Sequence, residues 1–453
     1  MGEEQEQKFH QLTEEPVSRM ISHLAVPCII SMLVTAFYNM ADTFFVSQLG
    51  TSATGAVGVV FSMMAVIQAV GFFFGHGSGN FISRELGRRN TDSASNMAAT
   101  GFFSALFTGL LICVFGEIFL TPLAAFLGSS PTILPYAKDY LRVILIGAPW
   151  MTASLVLNNQ LRFQGNAIYG TIGIASGAVL NIGLDPLLIF VFDLGVAGAA
   201  WATIISQFAG FCLLLAGCTR GATLHIHISR VQLKWSYFKL IIQGGLPSLA
   251  RQSLASVATI CLNHAAMPYG DAAIAAMGVV QRITTFGASA MIGFGQGFQP
   301  VCGFNYGARL YHRVKEGFWF CVKVAAVFLL VIGALGFAFA PQLIALFRDD
   351  PGVIAIGTVA LRFQRVTFFF QAWITMSNMM LQTIGRTVPA TFVAMARQGI
   401  FFIPLVWLLS LSPLGLLGVP MAQSVSDLLT LAAAVPIQLY VLRQMSQMQP
   451  AKV

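Results

Sequence analysis

The chain is a succession of apolar runs of about twenty residues each, separated by short polar breaks, and little else. Each run is long enough to cross a hydrocarbon core of roughly 30 Å as a helix. None alternates with the period of two that a membrane barrel strand requires. Lipid offers no partner to a free amide or carbonyl, so a spanning segment must satisfy its backbone internally, and helices do this. The fold class expected is an all-α integral membrane protein of about twelve transmembrane helices. The spans are predicted at 20–43, 54–79, 95–120, 135–157, 167–191, 196–218, 238–264, 272–297, 317–340, 354–381, 388–410 and 415–441. Composition agrees: 56% of the 453 residues are hydrophobic and 9% are charged, against roughly 25% charged in a soluble domain.

Residues 1–19 are polar and acidic and lead straight into the first run. No removable signal peptide is therefore expected, and the first helix is expected to direct insertion. A formal charge of +8 invites a nucleic-acid reading, but Lys and Arg are scattered through short loops rather than gathered on one face or tail. They fall in the amino tail and in every second connection, with Arg84, Arg88 and Arg89 in the second, Arg162 in the fourth, Arg220 to Lys239 in the sixth and Arg309 to Lys315 in the eighth. Only Lys138 and Arg348 lie on the other side. By the positive-inside rule both termini are expected in the cytoplasm. The seven cysteines fall mostly inside apolar runs without a C-x-x-C pair, which reads as core packing rather than metal or redox chemistry.

Compared with itself, the chain matches at a constant separation of 220 residues. Pro27 pairs with Pro247, Gly58-Val59-Val60 with Gly278-Val279-Val280, Arg89 with Arg309, Asn158 with Asn378 and Gly165 with Gly385. Each repeat holds six spans, an even number, so the two units insert the same way up about a pseudo-two-fold axis along the membrane normal, with the substrate site expected between them. The expected plan is a cytoplasmic tail (1–19), an amino-terminal lobe (20–218), a cytoplasmic linker (219–237), a carboxy-terminal lobe (238–441) and a second tail (442–453). His225 and His227 in the linker are read as part of an interfacial segment rather than a metal site.

An ionisable side chain at the centre of a span costs about 2.5–3.5 kcal/mol on insertion scales, which makes each one a functional candidate. Asp42 sits near the outer end of the first span, and Asp185 is well inside the fifth. Asn181 lies four residues before Asp185, on the same helical face, and Pro186 follows, removing an amide donor and freeing the carbonyl of Ile182. Acid, amide and loose carbonyl together suit a cation or proton; structural hydrogen bonding is the alternative. The repeat places Leu262, Phe401 and Leu405 opposite Asp42, Asn181 and Asp185, so only the amino lobe carries this group. The carboxy lobe holds Arg251, Arg282, Arg397 and Asp427 within spans, either paired with one another or lining the substrate cavity. There is no G-x-x-x-x-G-K-[ST], H-E-x-x-H or G-x-S-x-G, so neither ATP hydrolysis nor an obvious catalytic centre is expected.

The segments YNMADTFFVSQLG, NIGLDPLLIF and GVAGAAWATIISQ in spans one, five and six resemble the multidrug and toxic compound extrusion (MATE) family, and the likeness extends over nearly the whole chain. It implies two lobes forming a V around a central cavity, opening alternately to either side. It further implies export of small organic compounds, amphipathic or cationic, in exchange for H⁺ or Na⁺. No cofactor, no bound metal other than Na⁺ and no nucleic acid are implied; the expected form is a monomer in a bacterial inner membrane. Transferred residue by residue, the coupling site of that family falls on Asp42, Asn181, Asp185 and Thr203, with Tyr140 nearby, and Pro27 matches the proline at which the first helix of some relatives bends. In the NorM-like branch a glutamate stands seven residues after the span-seven proline. Here Leu254 holds that place, which favours the DinF-like branch. A lipid-linked sugar flippase of the same superfamily and a membrane-embedded enzyme are the competing readings.

Overall fold

The computed structural model describes residues 3–220 and 224–448. After a short amphipathic helix α1 (Glu3–Glu14), the amino lobe comprises α2 (Val17–Ser47), α3 (Thr51–Gly87), α4 (Thr91–Ile118) with the short α5 (Leu120–Phe126), α6 (Leu134–Phe163), α7 (Ala167–Pro186) and α8 (Gly195–Arg220). The carboxy lobe follows with α9 (Trp235–Ala266), α10 (Asp271–Gly307), α11 (Tyr311–Ala338) with the short α12 (Ala340–Phe347), α13 (Pro351–Thr367), α14 (Phe370–Thr383), α15 (Thr387–Met395), α16 (Phe402–Ser410) and α17 (Gly418–Gln447). Counting α13 with α14 and α15 with α16 as single crossings, the described residues form twelve spanning helical units, six to a lobe.

Three spans are not the simple rods the apolar runs suggest. The tenth, expected at 354–381, is broken between α13 and α14 with a bend of 58°. The fifth and eleventh each contain one wide π turn, at Leu187–Val191 directly after Pro186 and at Ala396–Ile400. Proline explains the first, since it withdraws the amide that the α-helical ladder needs. The second and eighth spans, expected to end at 79 and 297, run on to Gly87 and Gly307, because their last turns are buried between the lobes rather than exposed to lipid. Arg162, expected among the loop charges, is instead in the last turn of α6 and 2% exposed. It donates to Asn159 Oδ1 at 2.7 Å and approaches His76 Nε2 at 3.3 Å. Cys212 is exposed on the outside of α8 rather than in the core.

The repeat is visible in the backbone. Left-handed residues recur in register: Arg89 and Arg309 at φ 61° and 60°, Gly165 and Gly385 at 84° and 83°, Gly195 and Gly415 at 57° and 56°. The lobes meet through α2 and α3 on one side and α9 and α10 on the other. Their closest approaches lie in the half nearest the chain termini: Gly77 against the Ile241 carbonyl, Gly245 against Phe73, Gly293 against Ile29, Gly297 against Ala25. Nearer the opposite ends of α3 and α10, Gly58 and Gly278 have nothing within 4 Å. The lobes therefore form a V, closed at the end that carries the termini.

Helix α1 spans that closed end. On the amino lobe Lys8 Nζ donates to the Gly165 carbonyl at 3.1 Å, while Arg89 pairs with Glu6 at 3.5 Å and stacks over Phe9. On the carboxy lobe Asn305 Nδ2 donates to the Leu12 carbonyl at 2.9 Å and Arg313 donates to the Glu15 carbonyl. The segment expected to be a free tail is thus a strap across both lobes. The linker is likewise held down, with the amide of Gln232 on Thr100 Oγ1 and that of Leu224 on Gln164 Oε1. His225 and His227 are exposed, and the described residues contain no group of three or more His, Cys, Asp or Glu placed to hold a metal. Residues 221–223 of the expected linker, and 449–453 of the second tail, lie outside the described residues.

Candidate functional site

The site grows from four helices of the amino lobe. Helix α2 presents Tyr38 and Asp42 four residues apart, α7 presents Asn181 and Asp185 in the same spacing, α8 presents Thr203, Ser206 and Gln207, and α6 presents Tyr140. These faces enclose a cavity of about 60 Å³, whose polar lining includes Tyr38, Asn181, Thr203, Ser206 and Gln207, with Gly177 completing the wall. The fold thus brings together every member of the expected cation set: Asp42, Asn181, Asp185, Thr203 and Tyr140.

Its hydrogen bonding is incomplete in one particular way. With its amide oxygen turned toward α8, Asn181 accepts from the Thr203 amide at 3.2 Å and donates to Asp185 Oδ2 at 3.1 Å. Thr203 Oγ1 donates to the Ala199 carbonyl at 3.0 Å. Asp185 Oδ1, Asp42 Oδ1, the Tyr140 hydroxyl and Ser206 Oγ are all buried without a hydrogen-bond partner. Asp185 is completely buried and Asp42 half-buried, and the two carboxylates lie within electrostatic reach of each other. Buried polar atoms are nearly always bonded, so a cluster of unpaired oxygens is a site in want of a positive partner. An all-oxygen donor set suits a hard cation, and two interacting carboxylates equally suit a shared proton.

The carboxy-lobe residues are not gathered in the same way. Arg397 Nε bonds Asp427 Oδ1 at 2.7 Å, Arg251 Nη1 bonds Asn378 Oδ1 at 3.1 Å, and Arg282 stands apart on an exposed face of α10. Pro27 lies within an unbroken α2, its carbonyl accepting from Thr171 Oγ1 at 2.8 Å. Tyr38, Ser206 and Gln207 were not anticipated, although Tyr38 stands one turn before Asp42 and Gln207 one turn after Thr203. Buried Arg365, beside the α13–α14 break and 3.3 Å from Thr284 Oγ1, was also missed.

Comparison with known proteins agrees with this architecture. The family model described as MatE matches the chain twice, over residues 27–187 and 247–408, with starts 220 residues apart. The multidrug export protein MepA of Staphylococcus haemolyticus is 28% identical over 416 residues, 91% of each chain. A multidrug resistance MATE family transporter of the MOP superfamily, solved in an outward-facing conformation, superposes with a TM-score of 0.92 at 26% identity, covering 97% of this chain and 98% of that one. A MATE crystallised in what is termed the straight conformation also gives 0.92 at 26% identity, over 97% and 99%, in keeping with the unbroken α2. Such proteins are transporters, which removes the membrane-enzyme reading. With both six-helix repeats matched, the chain belongs to the MatE family.

Proposed function

We infer that the protein is a multidrug exporter that moves small organic compounds, amphipathic or cationic, out of the cell by antiport against H⁺ or Na⁺. The observation that carries this reading is the group of unpaired buried oxygens on Asp42, Asp185 and Tyr140, held in one lobe only and beside a cavity. A coupling ion drives a cycle only if it binds two conformations unequally. Neutralising two neighbouring carboxylates against α2 and α7 provides such a difference, because the charged and the neutral pair favour different packing of those helices. Asn181 and Thr203 orient the Asp185 carboxylate, Tyr140 offers a further oxygen, and Pro27, in the opposite half of α2 from Asp42, gives that helix a place to bend. The lobes then rock about the closed end of the V, exposing the cleft to each side in turn.

The charge distribution places both termini, and hence the closed end and the α1 strap, in the cytoplasm of a bacterial cell, with the protein acting as a monomer in the inner membrane. The test is dye efflux from proteoliposomes under Na⁺ and pH gradients imposed separately. Efflux driven by either gradient supports antiport and identifies the ion. No efflux under both, together with accumulation of a lipid-linked precursor when the protein is depleted, points instead to a flippase.

A further inference from the structure

The repeat that relates the lobes also relates the amino-lobe cavity to a place in the carboxy lobe. At the offset of 220, Gly177 corresponds to Arg397, Thr203 to Gln423, Ser206 to Ser426 and Gln207 to Asp427. The structures correspond as well as the numbers do. In the amino lobe the Cα of Gly177 packs closely on the backbone of Ser206; in the carboxy lobe Ser426 Oγ donates to the Arg397 carbonyl at 2.6 Å. The same two helices touch at the same two positions in each repeat.

What differs is what fills the space. Gly177 has no side chain, and Gln207 lines an open cavity. At the twin position Arg397 extends a guanidinium group to Asp427, a residue only 1% exposed. That carboxylate is fully served: Oδ1 accepts from Arg397 Nε at 2.7 Å and from Gln423 Nε2 at 3.1 Å, and Oδ2 is 3.4 Å from Thr367 Oγ1. Arg397 lies in the wide turn Ala396–Ile400, a distortion that re-aims a side chain relative to a regular helix. The amino lobe leaves carboxylate oxygens without a partner, whereas the carboxy lobe carries its own cation on a tether.

We propose that Arg397 is a built-in occupant of the carboxy-lobe twin of the ligand cavity, and that the Arg397–Asp427 pair determines specificity by confining organic ligands to the amino lobe. The pair acts in two ways: its bulk fills the twin space, and its fixed positive charge turns away a second cationic group. Removing the arginine alone leaves a buried aspartate in a cavity shaped for a planar cation, which a free guanidinium compound can enter. Replacing both residues by their amino-lobe equivalents leaves a neutral second cavity. This rests on the reading that the amino-lobe cavity accepts organic ligands.

The experiment uses the full chain purified in detergent. Equilibrium binding of ethidium, an amphipathic fluorescent cation, is measured for the wild type and for Arg397→Gly with Asp427→Gln; the expected stoichiometry rises from one to two per chain. In parallel, thermal unfolding of Arg397→Gly is followed with millimolar methylguanidinium; its melting midpoint is expected to rise, while those of the wild type and the double variant stay unchanged. A folded double variant that still binds one ethidium, or a methylguanidinium effect equal in all three proteins, overturns the proposal. If the wild type binds no ethidium, the reading of the amino-lobe cavity fails, and the methylguanidinium arm alone decides whether Arg397 fills a cation-shaped space.

Discussion

Gly87 and Gly307 are equivalent residues of the two repeats, and each is pressed against the backbone of the other's helix: Gly87 on the carbonyl of Phe304, Gly307 on the carbonyl of Arg84. Phe304 and Arg84 are themselves 220 residues apart, so the contact is its own mirror across the pseudo-two-fold axis. A methyl group at either glycine would collide with a backbone oxygen, which no rotamer change relieves. Arg84 adds a tie by donating to the Thr383 carbonyl of the opposite lobe.

Substituting Gly307 by Val should therefore wedge the closed end apart. Overpacking costs about 1–3 kcal/mol, and here it falls on one conformation of the V rather than on each lobe. Spin labels placed on the two lobes near the termini should report a longer distance in Gly307→Val and Gly87→Val than in the wild type. Unchanged distances in a well-folded variant would mean that the glycines are not what holds that end shut.

Asp185→Asn fixes the carboxyl in a neutral form while keeping its shape and the Asn181 contact. Gradient-driven efflux should drop to the level of protein-free liposomes, with normal insertion into the membrane. Asp42→Asn should behave alike, and the double variant should be little worse than either single one, since residues that share one task are not additive. Near-normal gradient-dependent transport by Asp185→Asn rejects the coupling role, and additive partial losses separate the two acids.

Asn305 holds α1 from the carboxy side. Its Nδ2 donates to the carbonyls of Leu12 and Val301, and its Oδ1 accepts from Arg313 Nε at 2.8 Å. Asn305→Ala leaves those buried groups unpaired, at roughly 1–3 kcal/mol. Limited proteolysis should then cut within residues 3–16 faster than in the wild type. Equal protection would show that Lys8 and Arg89 alone dock the helix.

The topology has its own test. Reporters fused to each end of the chain should both read cytoplasmic. A periplasmic signal from either end contradicts the charge distribution and reverses which face of the V is closed.

Much of this molecule is legible in its sequence because lipid imposes a simple rule. A run of about twenty apolar residues must cross as a helix, and the constant offset fixed two equivalent lobes. The acid group was legible too, since an aspartate within a span is costly and Asn181 stands one turn from Asp185. What stayed hidden depends on partners far along the chain. The break between α13 and α14 falls at Phe368 and Phe369, where neither proline nor glycine marks it. Helices α9 and α10 carry Lys239, Arg251 and Arg282 and fail a strict test of apolar spans; they are less oily because much of their surface meets the other lobe. The segment EEQEQKFHQLTE reads as a polar tail, because nothing local reveals that Leu12 is completely buried.

Helix α1 also sets an order of events during synthesis. It is translated ahead of every span, yet the groups that grip it from the second lobe lie 293 residues beyond Leu12 and 298 beyond Glu15. Until α10 and the start of α11 have been made and inserted, the helix can be held only by Gly165 and Arg89, one side of its seat. Its final docking thus waits on a finished pair of lobes, and a chain stalled after the first repeat leaves this segment half-anchored at the membrane surface. Protease resistance near residue 12 is in that sense a readout of completed biogenesis.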